Sequence, residues 1–196
     1  MVLTESEPVL TRGDEAPPFE LPGVDGEAYT LDSFADADAL LVVFTCNHCP
    51  YAKAKMDELN HLAAAYDDLA VVGVNSNDEE EYPDDSFERM VELVDEGTVA
   101  YDAYLRDESQ ETAAAYGAVC TPDPFLFARE DGAFRLVYHG RLDDAPNPDD
   151  TPSEFPMREA VESVLAGEPV TVEEEPSMGC SIKWKPGAEP DYWDDV

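Results

Sequence analysis

Two stretches of the chain are apolar without interruption, ALLVVF at 39–44 and LAVVGVN at 69–75 apart from its closing asparagine. Runs of this length mark strands covered on both faces, as in an α/β sheet. Between them the period changes. Ala52, Met56, Leu59, Leu62 or Ala63, and Tyr66 recur at helical intervals with polar residues between, which predicts an amphipathic helix over 50–66. Pro50 suits its first turn, where N–H groups have no intrahelical partner. Strand, helix and strand in this order imply a right-handed crossover between parallel neighbours.

The flanking pattern is shorter in wavelength. Residues 17–31 read as two short strands about a turn at Asp25-Gly26. After the acidic loop NDEEEYPDD come a helix over 86–94, a short strand near 99–105 and a helix over 108–116. VCTPDPFLFAR and GAFRLVYHGR then form an antiparallel pair around Glu130-Asp131-Gly132, with Pro124 expected on an edge position. A Pro/Asp-rich loop, 143–153, leads to a last helix over 154–166 that stops at Gly167. The tail, 168–196, contains GCSIKWKPG and has no clear period. The organisation expected is a flexible N-terminus at 1–11, one domain at 12–167 and a C-terminal extension at 168–196. A chain of 196 residues suffices for one full core.

Charge alters the picture of the surface rather than the fold. With 46 acidic and 11 basic residues the net charge is −35, yet 43% of the residues are hydrophobic, as in an ordinary folded chain. The acidic excess must lie outside, where molar salt screens it within roughly 3 Å. That points to a salt-adapted protein of a salt-accumulating cytoplasm, and argues against nucleic acid or an anionic membrane as partner. The N-terminal stretch has no basic region followed by an apolar core, so no signal peptide is expected.

Cys46, Cys49, Cys120 and Cys180 are too few for a disulfide scaffold of this size. The close pair in TCNHCPYAK is therefore a redox pair, half of a metal site, or two neighbouring thiols. It sits between a buried strand and a helix start, where the unsatisfied N–H groups and the helix dipole favour the thiolate of Cys46. Cys46 is then the attacking thiol, and Cys49, one turn on, closes or resolves the disulfide. A protonated His48 adds a second stabiliser. All four lysines lie near cysteines: Lys53 and Lys55 after the pair, Lys183 and Lys185 after Cys180. In so acidic a chain this reads either as local positive potential around thiols or as ordinary solvated positions. His61 and His139 stand alone.

Further stretches carry a resemblance. RGDEAPPFELPGVDG at 12–26 is similar to the opening of the peroxiredoxin and redoxin branch of the thioredoxin-like superfamily, and YGAVCTPDPFLF at 116–127 resembles the thioredoxin segment whose cis-proline faces the redox cysteines. With FTCNHCPY and GCSIKWKPG, the chain looks most like the uncharacterised peroxiredoxin-like group of that superfamily. The resemblance implies a thioredoxin-like fold, a central mixed sheet flanked by helices, with Thr121 and a cis Pro122 opposite the pair. It also implies no cofactor, a disulfide- or peroxide-bearing substrate, and a thiol reductant as partner. Cys120, beside that proline, is either a third thiol or a small buried residue; Cys180 either folds back to meet Cys46 or belongs to a tail packing Ile182 and Trp184 on the core.

The chain also departs from the patterns it resembles. Peroxidatic cysteines follow a threonine by three positions, whereas the positions three before Cys49 and Cys46 hold Cys46 and Val43. The buried acid that thioredoxins place six residues before the first cysteine is Leu40 here. The reading is thus a cytoplasmic thiol–disulfide oxidoreductase built on Cys46, Cys49, His48, Thr121 and Pro122, the alternatives being a thiol-dependent antioxidant peroxidase or a copper or other metal carrier using His139.

Overall fold

In the computed structural model, residues 3–6 and 9–195 are described. A short strand β1 (Leu3–Glu5) precedes the hairpin β2 (Glu20–Pro22) and β3 (Ala28–Thr30). The first apolar run is β4 (Ala39–Phe44), followed by α1 (Pro50–Lys53) and α2 (Met56–Ala65), and the second is β5 (Leu69–Asn75). Next come α3 (Phe87–Asp95), β6 (Ala103–Arg106) and α4 (Glu111–Tyr116). The chain then runs through β7 (Cys120–Thr121), β8 (Asp123–Glu130), β9 (Ala133–His139), α5 (Pro156–Leu165) and β10 (Met178–Ser181).

Five strands form the central sheet in the order β6-β5-β4-β8-β9. The first three are parallel and the last two antiparallel, so the sheet is mixed. Helical crossovers join the parallel members and the Glu130-Asp131-Gly132 turn joins the antiparallel ones. Every residue of β4 and β5 is buried. On one face Leu40, Val42 and Phe44 pack with Tyr116, Phe125, Ile182 and Trp184; on the other Leu41 and Val43 pack with Leu59 and Leu62 of α2 and with Met157 and Val161 of α5. The unbroken apolar runs therefore reflect two cores, one on each side of a single layer. Among the described residues, no helix is long and apolar enough to cross a membrane.

Three expectations need correction. The helix expected over 50–66 is two pieces, because the Lys55 N–H bonds Ala52 O, one residue short of the α-helical partner. The Lys55 ammonium is turned onto Asp143 (2.6 Å) and Ala145 O (2.9 Å). Pro124 lies in β8, which is internal to the sheet, but β8 pairs with β9 only from Phe125 onward, so β4 is its one neighbour there and no ladder bond to β9 is lost. The third correction concerns both ends of the chain. The N-terminal residues expected to be flexible include β1, and the tail without periodicity supplies β10; these two pair antiparallel, and β10 pairs in turn with β7. Three- and four-residue strands are too short to show alternation, which is why the pattern along the chain misses this second sheet.

Candidate functional site

Strand β4 ends at Phe44 and the chain turns at once into TCNHCP, so Cys46 and Cys49 sit at the C-terminal edge of the central sheet, at the mouth of α1. Opposite them β7 brings Thr121, and the Thr121–Pro122 peptide is cis. Cys46 is fully buried, with its Sγ 3.1 Å from Thr121 Oγ1. Cys49 Sγ lies 3.6 Å from Thr121 O. Cys49 is joined by a disulfide to Cys180, while Cys46 and Cys120 are free. The tail cysteine thus folds back onto the pair as one of the expectations had it, but its partner is Cys49 rather than Cys46. The reason lies in the register: β10 aligns Cys180 with Thr121 and Ser181 with Cys120, which carries the Cys180 side chain to the helix side of the turn. Gly179 allows that register, since a Cβ there would stand 2.0 Å from Thr121 O.

Around Cys46 the electrostatics differ from the sequence expectation. The backbone amides of Cys49 and His48 do favour its thiolate, as does the Thr121 hydroxyl. Burial and the Asp85 carboxylate outweigh them, and the thiol is pushed up to about 12. None of the four lysines is among the groups that set the Cys46 thiol; the Lys183 ammonium bonds Ser181 and stands over the Tyr82 ring, and burial lowers its own pKa. Lys55 serves Asp143, Lys185 reaches Glu108 O and Lys53 points to solvent.

Asp85 is the residue that reading the sequence missed. It occupies the short 3-10 turn Pro83–Asp85 just before α3 and is fully buried. Its carboxylate accepts from the Asn47 amide (2.6 Å) and Asn77 Nδ2 (2.7 Å), and pairs with His48 Nδ1 (2.6 Å). Burial opposes its ionisation, but the His48 ring, the Asn77 amide and the Asn47 N–H more than offset that and hold the carboxyl below its ordinary value. From behind, Arg106 Nη1 and Asn75 Nδ2 both donate to Asp85 O at 3.4 Å, fixing the turn against the ends of β6 and β5. In the sequence Asp85 is one acid in a run of acids, and nothing there separates it from exposed Asp84. His48 also stacks on Tyr82, with ring centroids 5.1 Å apart.

One sulfur, one imidazole nitrogen and one carboxylate oxygen from Cys46, His48 and Asp85 lie within 4.8 Å of one another and make the donor set a cation would find here. His139 is not part of it. Its Nε2 pairs with buried Asp123 at 2.7 Å and its ring stacks on Phe125 at 4.0 Å, so the carrier expectation that joined His139 to the cysteines has no geometric counterpart. Cys120 faces Pro122 O at 3.6 Å, and burial together with Asp123 holds its thiol well above the ordinary range. His61 is exposed on α2.

A mixed sheet with a cysteine at the end of its central strand, facing a cis-proline edge, is the thioredoxin-like fold. Residues 12–137 match the AhpC/TSA family, and the chain belongs to it. A hypothetical protein from Sinorhizobium meliloti is 42% identical in a solved structure, over 94% of this chain and 100% of its own, with a TM-score of 0.86. An uncharacterized conserved protein from Geobacillus kaustophilus is 41% identical over 95% of this chain and 98% of its own, with a TM-score of 0.88. More distant is a putative thiol:disulfide interchange protein, DsbE, from Chlorobium tepidum, 20% identical over 81% of this chain and 97% of its own, TM-score 0.58. None of the curated proteins compared gives a match.

Proposed function

We propose that the protein is a thiol–disulfide oxidoreductase in which Cys46 is the nucleophile and Cys49 the thiol that resolves its mixed disulfide. The observation that carries this reading is the contact of Cys46 Sγ with Thr121 Oγ1 beside the cis Thr121–Pro122 peptide. The backbone amides of His48 and Cys49, in the turn that leads into α1, meet one sulfur, and the Thr121 hydroxyl is within reach to turn its proton to the same atom, so charge developing on Cys46 during attack or departure has oriented donors. His48, backed by Asp85, takes the place of the acid absent at Leu40. With Nδ1 held by the carboxylate, the other ring nitrogen is the one that exchanges protons, and the carboxylate stabilises the imidazolium while the proton is held. A disulfide substrate and a dithiol reductant are the co-reactants.

The test is turnover of a small disulfide with a dithiol as electron source, run beside peroxide consumption under the same conditions. Disulfide turnover that far exceeds peroxide turnover supports the proposal. The reverse ratio, with Cys49 required and Cys46 dispensable, would establish the peroxidase reading, which the AhpC/TSA match favours and the missing threonine three positions before either cysteine does not.

The setting proposed for this activity is a cytoplasm with molar salt. Acidic self-repulsion on a chain of net charge −35 weakens as salt screens it. Raising potassium chloride from about 0.1 M to about 2 M is therefore expected to raise Tm by about 5 °C or more. A melting temperature independent of salt would remove this assignment.

A further inference from the structure

The disulfide of this structure is not the one that the exchange chemistry first makes. If Cys46 attacks and Cys49 resolves, the product is a Cys46–Cys49 bond, yet the bond present joins Cys49 to Cys180 and leaves Cys46 free. We propose that Cys180 is a third redox thiol, which moves the disulfide off Cys46 and at the same time closes the site. This rests on the exchange reading given above.

Three features of the tail support it. Cys46, Cys49 and Cys180 form one buried cluster with Ala52, so the three sulfurs share a single compartment from which Cys120 is absent. Strand β10 pairs antiparallel with Cys120–Thr121, along the backbone edge beside the cis peptide. That is the edge an extended peptide would use to add a strand next to the thiols. It is already filled by the chain's own residues, and Gly179 permits the close approach.

The hydrogen-bond chain at Thr121 is the third. Its hydroxyl lies 3.4 Å from Cys180 O, to which it donates, and 3.1 Å from Cys46 Sγ. A hydroxyl has one proton. While that proton is directed to Cys180 O, the contact with Cys46 is made by the thiol donating to Thr121 Oγ1, which keeps Cys46 protonated. Once the tail carbonyl leaves, the same proton can turn to Cys46 and favour its thiolate. The tail therefore sets the protonation state of Cys46 through one side chain.

The steps balance as follows. The Cys46 sulfur attacks one sulfur of a substrate disulfide and expels the first substrate thiol. Cys49 displaces the second, which forms the Cys46–Cys49 bond. Cys180, losing its proton, then attacks Cys49 Sγ; the Cys46–Cys49 bond breaks, and Cys46 departs as a thiolate that recovers a proton. One substrate disulfide has become two thiols, and two protein thiols are joined. A dithiol reductant reverses the last bond, is itself oxidised to a disulfide, and reopens the site.

The experiment uses the full chain, reduced, freed of reductant and given one molar equivalent of cystamine, with acid quenching at intervals, alkylation and peptide mapping. The expected course is an early Cys46–Cys49 disulfide that decays as Cys49–Cys180 grows. In Cys180→Ser the early disulfide should persist, and in Cys46→Ser the Cys49–Cys180 bond should form about tenfold more slowly or worse. Wild-type protein that ends with Cys46–Cys49 and an alkylated Cys180 would overturn the proposal, as would Cys49–Cys180 forming at the wild-type rate in Cys46→Ser. The exchange reading fails on a different result, full disulfide turnover by Cys46→Ser.

Discussion

Replacing Cys46 by serine is expected to lower disulfide turnover by about 10³-fold or more, because a serine hydroxyl is not ionised at working pH and supplies no comparable nucleophile. The fold should tolerate the change. Serine nearly matches the thiol in size, and Thr121 Oγ1 and the His48 and Cys49 amides that now meet the sulfur are hydrogen-bonding groups that a hydroxyl can satisfy. The measurement is steady-state reduction of a small disulfide, with thermal unfolding of the same preparation as control. A variant that unfolds like the wild type and keeps full turnover would show that Cys46 is not the attacking thiol.

Asp85 is expected to matter both for stability and for the thiol, and the two effects are separable. Asp85→Ala leaves His48 Nδ1, Asn77 Nδ2 and the Asn47 N–H without their buried acceptor, a loss of about 3–5 kcal/mol by analogy with breaking a buried ion pair. Asp85→Asn keeps the shape and removes the charge. Since the carboxylate is one of the two causes that push the Cys46 thiol up to about 12, that thiol should titrate lower in the asparagine variant even as turnover falls because His48 loses the carboxylate that backs it. A Cys46 pKa that stays put would dismiss the electrostatic role. The pH dependence has a definite sign. Asp85 is held below its unfolded value near 3.8, so its contribution is fully present above that value and is lost as pH falls through the folded one. Wild-type protein should therefore lose stability more steeply than Asp85→Asn in that acidic window.

These expectations show what the chain discloses when read linearly. β4 and β5 were legible to the residue, because a strand covered on both faces must be apolar at every position and nothing else in the chain looks like that. The place of the paired cysteines at a strand-to-helix turn was legible through spacing, and the cis-proline opposite through resemblance. The partner of Cys49 was not, since it depends on the register of a four-residue strand against a two-residue one, and neither is long enough to carry a period. Asp85 was hidden for a different reason. In a chain with 46 acids one more acid carries no information, and its burial is decided by Arg106 and Asn75 at the ends of separate strands. The thiolate expectation failed on the same ground: the amides at the helix start are visible locally, whereas the burial and the Asp85 carboxylate that override them depend on how the folded chain packs around Cys46.

The bond between Cys49 and Cys180 spans 131 positions, so β5 through β9 and all of α1 to α5 lie inside one covalent ring. Closing a ring of that size restricts the unfolded chain by about 5 kcal/mol in the chain-entropy picture. By thermodynamic linkage, whatever the bond contributes to folding, folding returns to the bond as resistance to reduction. The reduction potential of this pair is then a global property, one that a cavity cut in the core beneath Tyr116 or Trp184 would shift without touching a sulfur atom.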